Sequence, residues 1–225
     1  MTEMRRCEMQ LPWLRAVTVS QDDIVIGEPH GCGVGGVLMI EHAGTGALLM
    51  ARKSARPGFE GNDQLAFPGG MVRARSPQHS LTEWILRSLH ERVVAEVQLD
   101  LSTCEQVQML AVNPPIVAAY TAKGQRRHTV LLPVTLTVSH DFQPHTQDPT
   151  VYDPGWYDPR LLWSDITPTN RLLAALYLWP RLTESERMVA QPSATEALEQ
   201  ASGWATEIGF LPPIAPWKMM NSSAC

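Results

Sequence analysis

Apolar residues return at every fourth position through one stretch of the chain: Leu81, Ile85, Leu89, Val93 and Val97, with Leu86 and Val94 beside them. That spacing predicts a helix with a single apolar stripe. Glu83, Arg87 and Glu91 stand four apart on the other side, as on a solvent-facing helix surface. Two starts are open. Ser76-Pro77 would supply a serine cap with proline in the first turn, and Ser80 with Glu83 would form a capping box.

Around this helix the pattern is that of strands. Residues 37–40 read as a buried strand, Gly44-Thr45-Gly46 as a hairpin turn, and 47–52 as the returning strand. Residues 54–63 are looser, and 64–67 form a short apolar run that ends at Pro68-Gly69-Gly70. Beyond Asp100, residues 107–112 and 128–138 are strand candidates, the second rich in Val, Leu and Thr. Residues 140–154 read as a polar loop, followed by a short strand at Trp156-Tyr157 and a turn at Asp158-Pro159. Residues 171–182 and 193–210 read as helices, with irregular chain from Pro212. The run Gly31-Cys32-Gly33-Val34-Gly35-Gly36 reads as a flexible lead into the first strand. A phosphate-cradling loop would need the GxGxxG spacing after a strand, or the lysine of a P-loop, and the run has neither. The expected organisation is an N-terminal extension over 1–30, an α/β domain over 31–182 and a C-terminal helical tail over 183–225.

Composition narrows the classes. A chain of 225 residues, 44% hydrophobic, can bury a sizeable core. Its net charge of −5, with arginines and lysines scattered, argues against nucleic acid as a partner. Cys7, Cys32, Cys104 and Cys225 form no CxxC pair, so neither a zinc site nor a disulfide framework is expected, and a reducing cytoplasm is the simpler setting. Cys7-Glu8-Met9-Gln10 interrupts any apolar segment after Arg5-Arg6, and no apolar run is long enough for a membrane span.

The order strand, turn, strand, loop, Phe67-Pro68-Gly69-Gly70, helix resembles the Nudix hydrolases over roughly residues 34–180. The family's box runs Gly, five residues, Glu, seven residues, Arg-Glu, an aliphatic, any residue, Glu-Glu, any residue, Gly, an aliphatic. Gly70 fits its opening glycine, and Glu91 to Leu99 fit its end in the apolar positions, with Glu83 eight residues before Glu91. The resemblance implies an α/β/α sandwich with a mixed sheet, plus C-terminal helices. It also implies a helix face of carboxylates that holds Mg²⁺ or Mn²⁺ against a diphosphate. On this resemblance Glu96 and Glu91 are the candidate catalytic carboxylates. Glu96 and Glu83 are the candidate metal ligands, and Arg92, Gly69 and Gly70 the candidate ligand-binding residues.

The polar positions of the box depart from that pattern. Arg-Glu is inverted to Glu91-Arg92, the first paired glutamate is Ala95, and the terminal glycine is Gln98. Glu83 follows Gly70 by thirteen positions where the box has six, so an insertion lengthens either the loop or the helix. Arg92 stands where the family places a ligand, four residues before Glu96, and a guanidinium there repels a divalent cation by on the order of several kcal/mol. Glu91 and Glu96 lie about 140° apart around a helix and should not chelate one ion together. The metal site is therefore expected to be damaged, with Mg²⁺ or Mn²⁺ relevant only if it still works. Arg92 either takes over phosphate recognition as a charged fork or merely pairs with Glu96. His90, Asp148 and Asp153 are secondary candidates for a catalytic base or acid, and Trp156, Tyr157 and Trp163 for base stacking or packing. Three readings stay open: a non-hydrolysing protein that binds a nucleotide-like small molecule or a partner, an active metal-dependent hydrolase, or a structural or interaction module that kept only the fold; a homodimer is open under each.

Overall fold

The structure, a computed structural model, describes residues 17–20, 23–26, 32–55, 61–73, 81–101, 108–110, 112, 114–122, 125–138 and 142–219. Within these the strands are β1 (Val17–Ser20), β2 (Asp23–Ile26), β3 (Cys32–His42), β4 (Leu48–Lys53), β5 (Leu65–Ala66), β6 (Gly69–Met71), β7 (Gln108–Met109), β8 (Ile116–Ala122), β9 (Gln125–Val138) and β10 (Val151–Tyr157). The helices are α1 (Leu81–Val97), α2 (Pro168–Leu178), α3 (Glu184–Glu207) and α4 (Pro216–Met219). Cys7, Ser76, Pro77, Ser80, Cys104 and Cys225, and the side chain of Leu81, lie outside the described residues. So does the choice between the two helix starts.

The strands join in one mixed sheet organised on β3. One edge of β3 pairs in parallel with β9, from Gly33 opposite Thr129 to His42 opposite Val138. Its other edge is shared antiparallel by β2, β6 and β4 in turn. A parallel pair needs a long crossover, and α1 lies in the one between β3 and β9. Strand residues point alternately to opposite faces. Val34, Leu38 and Ile40 of β3, with Val130, Leu132 and Val134 of β9, pack with Ile85, Leu89, Val93 and Val97 of α1. Val37, Met39 and Leu131 turn to the other side, against Leu172 and Leu173 of α2 and the alanines of α3. The result is an α/β/α sandwich. β1 and β2, in the stretch read as an extension, pair antiparallel and join β3. The last turns of α3 reach the α1-side core through Trp204, Ala205 and Ile208.

Several features differ from the sequence reading: β10 begins at Val151, inside the stretch read as a polar loop, and α4 lies in the chain read as irregular. The glycines of residues 33–36 lie inside β3, not in a lead to it. A Cβ on Gly36 would sit 2.8 Å from Leu89 Cγ, so the absent side chain is what lets α1 approach the sheet. Next, β8 was not expected, although Pro114-Pro115 before an apolar run is a legible strand boundary. Finally, α3 begins at Glu184 rather than after Pro192. Thr183 caps it, with its hydroxyl accepting from Glu186 N–H and its own N–H donating to the Glu186 carboxylate. Pro192 sits on the exposed side, where solvent can satisfy the carbonyl its missing N–H leaves. Ala190, Ala194, Ala197, Ala201 and Ala205 form the buried stripe of α3.

Candidate functional site

The apolar stripe fixes the rotation of α1, and that rotation decides what its polar residues can reach. With Leu89, Val93 and Val97 fully buried, Arg92 and Glu96 fall at the edge of the stripe, one turn apart, beside β6. Glu96 is only 1% exposed. A carboxylate so placed needs partners for both oxygens. Arg92 Nη2 donates to Oε1 at 2.5 Å and Lys53 Nζ lies 3.6 Å from the same oxygen, while the backbone N–H of Gly69 donates to Oε2 at 3.1 Å.

Arg92 has a second carboxylate. Its Nη1 lies 3.1 Å from Asp148 Oδ2, in the irregular chain that precedes β10. The other Asp148 oxygen accepts from Thr150 N–H at 2.8 Å. Arg92 Nε is buried without a hydrogen-bond partner among the described residues. It lies against Gly70, where a Cβ would come within 3.1 Å of it. Gly70 is therefore the floor on which the arginine lies. Among the described residues the cluster of Lys53, Arg92, Glu96 and Asp148 carries two positive and two negative charges, which balance.

The other candidates are dispersed. Glu83 and Glu91 are exposed on α1, away from Glu96. His90 faces Asp100 at 3.8 Å on the surface. Asp153, two-thirds exposed at a φ of 48° where β10 bulges, accepts from the Tyr157 hydroxyl and lies near Arg52. Arg52 and Lys53 are neighbours in β4, so Asp153 and Asp148 belong to opposite faces of the sheet. Burial, and then the hydrogen bond to Asp153, push the Tyr157 phenol up to about 12, so it stays neutral. Trp156 Nε1 donates to Phe142 O and its ring meets His42 edge-on at 5.0 Å, while Trp163 is buried on the α2 side. Among the described residues no three His, Cys, Asp or Glu side chains converge. Sequence reasoning missed Lys53, which only its place at the end of β4 beside β5 could have flagged, and the Gly69 N–H.

This donor set does not fit a divalent ion. A hard cation needs free carboxylate oxygens, but Oε1 of Glu96 already accepts from Arg92 with the Lys53 ammonium 3.6 Å away, and Oε2 accepts from the Gly69 amide.

The helix ends where the box puts its glycine. Gln98 has a φ of 60°, the left-handed conformation in which helices commonly stop and which favours glycine. Its N–H still donates to Val94 O at 3.0 Å. Gln98→Gly is expected to raise stability by about 0.5–1 kcal/mol, because about 1–2 kcal/mol of left-handed strain is relieved against glycine's larger unfolded-state entropy. Urea unfolding checks this, and an unchanged or lower stability would show that the glutamine carries no strain.

No family model matches the chain, and neither does any curated protein sequence. Solved structures similar to it include Nudix proteins. The Nudix domain of Shewanella oneidensis NrtR, solved with ADP ribose, is 12% identical with a TM-score of 0.46, over 67% of this chain and 88% of that one. The E. coli dihydroneopterin triphosphate pyrophosphohydrolase is 16% identical with a TM-score of 0.43, over 61% and 89%. The M. smegmatis Nudix hydrolase RenU is 16% identical with a TM-score of 0.42, over 77% and 95%. These likenesses concern the fold alone.

Proposed function

We propose that this chain is a Nudix-fold protein that acts by binding and not by metal-dependent hydrolysis. One observation carries the reading: the Arg92 guanidinium lies between Glu96 and Asp148, in the place that the box pattern reserves for a metal and its ligands. The left-handed Gln98 at the glycine position of the box and Gly69-Gly70 beside α1 support the register on which this rests. A neutral cluster has no surplus negative charge to attract Mg²⁺ or Mn²⁺. Within the described cluster the cations that could offset the charge of a diphosphate are Arg92 and Lys53, both already paired. The ligand class that goes with the fold is a nucleoside diphosphate derivative, as ADP ribose is for the NrtR domain. The Arg92 side chain remains 38% exposed, so a ligand can approach it from solvent. No helix among the described residues is long and apolar enough to cross a membrane.

The test has two arms. Phosphate or nucleotide release from a panel of nucleoside diphosphate derivatives, with Mg²⁺ and with Mn²⁺, should show no turnover above a protein-free control. Calorimetry with ADP-ribose and nucleoside diphosphates in the absence of metal should show binding that Arg92→Ala weakens. Turnover with either ion overturns the reading. Neither turnover nor binding would leave an interaction module, the second reading, which the closed and neutral state of the cluster favours.

A further inference from the structure

The face of α3 turned away from its buried alanines carries a second pattern. Met188, Gln191, Pro192 and Thr195 stand at i, i+3, i+4 and i+7, so they form one line along the helix, and they border an open concavity of about 440 Å³. Met188 is 71% exposed, and Val189 beside it 66%. Large apolar side chains that cluster at a surface mark contact sites. Glu184 and Glu199 extend the line at its two ends, about 22 Å apart along the axis. Glu186, Glu196 and Glu207 of α3 each pair with an arginine. Among the described residues no cation pairs with Glu184 or Glu199. The helix N-terminus favours a glutamate at Glu184, but Glu199 lies deep in the helix and has no such reason.

Pro192 breaks a local rule in the middle of this line. A proline inside a helix withholds an N–H from the carbonyl four residues back, here that of Met188, and it costs stability that alanine would not. Pro192 is exposed, so core packing does not explain it. The line therefore offers an apolar centre, a backbone acceptor without its helical donor, and a carboxylate at either end. That set suits arginine side chains, whose stems cover apolar residues while their N–H groups serve the oxygens. It does not suit a second copy of the chain. Gln191 and Pro192 lie midway between the two glutamates, so an antiparallel α3 would set Glu184 against Glu199, and a parallel one would set each against itself.

We propose that this face of α3 docks an arginine-rich amphipathic helix of a partner protein. Such a helix lays its apolar side on Met188 and Pro192 and its arginines towards Glu184 and Glu199. The face is separate from the cluster under α1, so the proposal stands whether or not that cluster binds a nucleotide.

The test uses the full chain and a labelled synthetic peptide of about 18 residues, long enough as a helix to span both glutamates. The peptide carries leucine on one helical face and arginine on the other, and its counterpart carries glutamate in place of arginine. Fluorescence anisotropy should show binding of the arginine peptide alone, weakening as salt is raised. Met188→Asp should weaken it by about tenfold, as loss of a central apolar contact does. Glu184→Lys with Glu199→Lys should reverse the preference towards the glutamate peptide. Glu83→Lys with Glu91→Lys makes the same change of charge on α1 and should leave the affinity within about twofold. Pro192→Ala should raise the thermal midpoint by several degrees yet weaken the peptide. Three results would overturn the proposal: an arginine peptide that does not bind, equal loss in the α1 double variant, which would reduce the effect to net charge, or self-association in sedimentation that Met188→Asp abolishes, which would assign the face to a second copy.

Discussion

Replacing Gly69 with alanine is expected to be among the most damaging single changes in this protein. A Cβ there would sit 2.3 Å from the backbone oxygen of Gly36 and 3.1 Å from Val37 Cα. Neither is the end of a flexible side chain, so the strain can be relieved only by moving β6 away from β3, where Gly69 pairs with Val37. That movement also withdraws the Gly69 N–H from Glu96. Overpacking of this kind costs about 3 kcal/mol. For a chain of this size the midpoint should fall by roughly 6–12 °C. Gly203→Ala is the matched control, since nothing lies within 4 Å of its added Cβ and alanine favours a helix. Thermal unfolding of both variants decides it. A Gly69→Ala protein as stable as the control would mean that β6 is not held against β3 as described.

Arg92→Ala is the second large effect. It leaves Glu96, 1% exposed, with the Gly69 amide and a lysine 3.6 Å away as its partners. Removing one partner of a buried ion pair commonly costs about 3–5 kcal/mol. Arg92 is 38% exposed, which places this case at the lower end, about 3 kcal/mol. Arg92→Lys should lose less, because the charge stays, but not nothing. A compact ammonium with a shorter reach cannot bridge two carboxylates as a planar fork does. Urea unfolding of the three proteins gives the order: unaltered, then lysine, then alanine. Equal stability of the alanine variant would show that Glu96 does not depend on the arginine for its burial.

Much of the frame was legible in the chain. The fourfold recurrence from Ile85 to Val97 specified α1 and its buried face, because a helix repeats every 3.6 residues whatever surrounds it. The hairpin at Gly44-Thr45-Gly46 and the strand into Pro68-Gly69-Gly70 came from local turn chemistry. Local signals misled where a rule about one residue was overruled by distant contacts. The glycines of β3 suggested looseness, but Gly36 is the surface on which Leu89 rests, while Gly33 and Gly35 lie against Met71, Thr129 and Leu131. Pro192 suggested a helix start, but the cap at Thr183 and the alanine stripe packed on α2 carried α3 through it.

The site divides the same way. The i, i+4 spacing of Arg92 and Glu96 already stated that they share a face, and the change from the box pattern already stated that a cation had entered it. Nothing in the order of residues could say that Asp148, rather than Asp153, joins them. Five positions apart, those aspartates fall on opposite faces of the sheet, with one laid against α1 and the other turned towards Arg52. Nor could it say that Lys53 and the Gly69 amide complete the cluster. Periodicity and turn chemistry are short-range, so the sequence by itself determined the helix, the hairpin and the pair Arg92–Glu96. The neutral closure of that pair by Asp148, Lys53 and Gly69 joins four separate segments of chain. Only the tertiary structure could decide it, because charge balance depends on distances through space and not along the backbone.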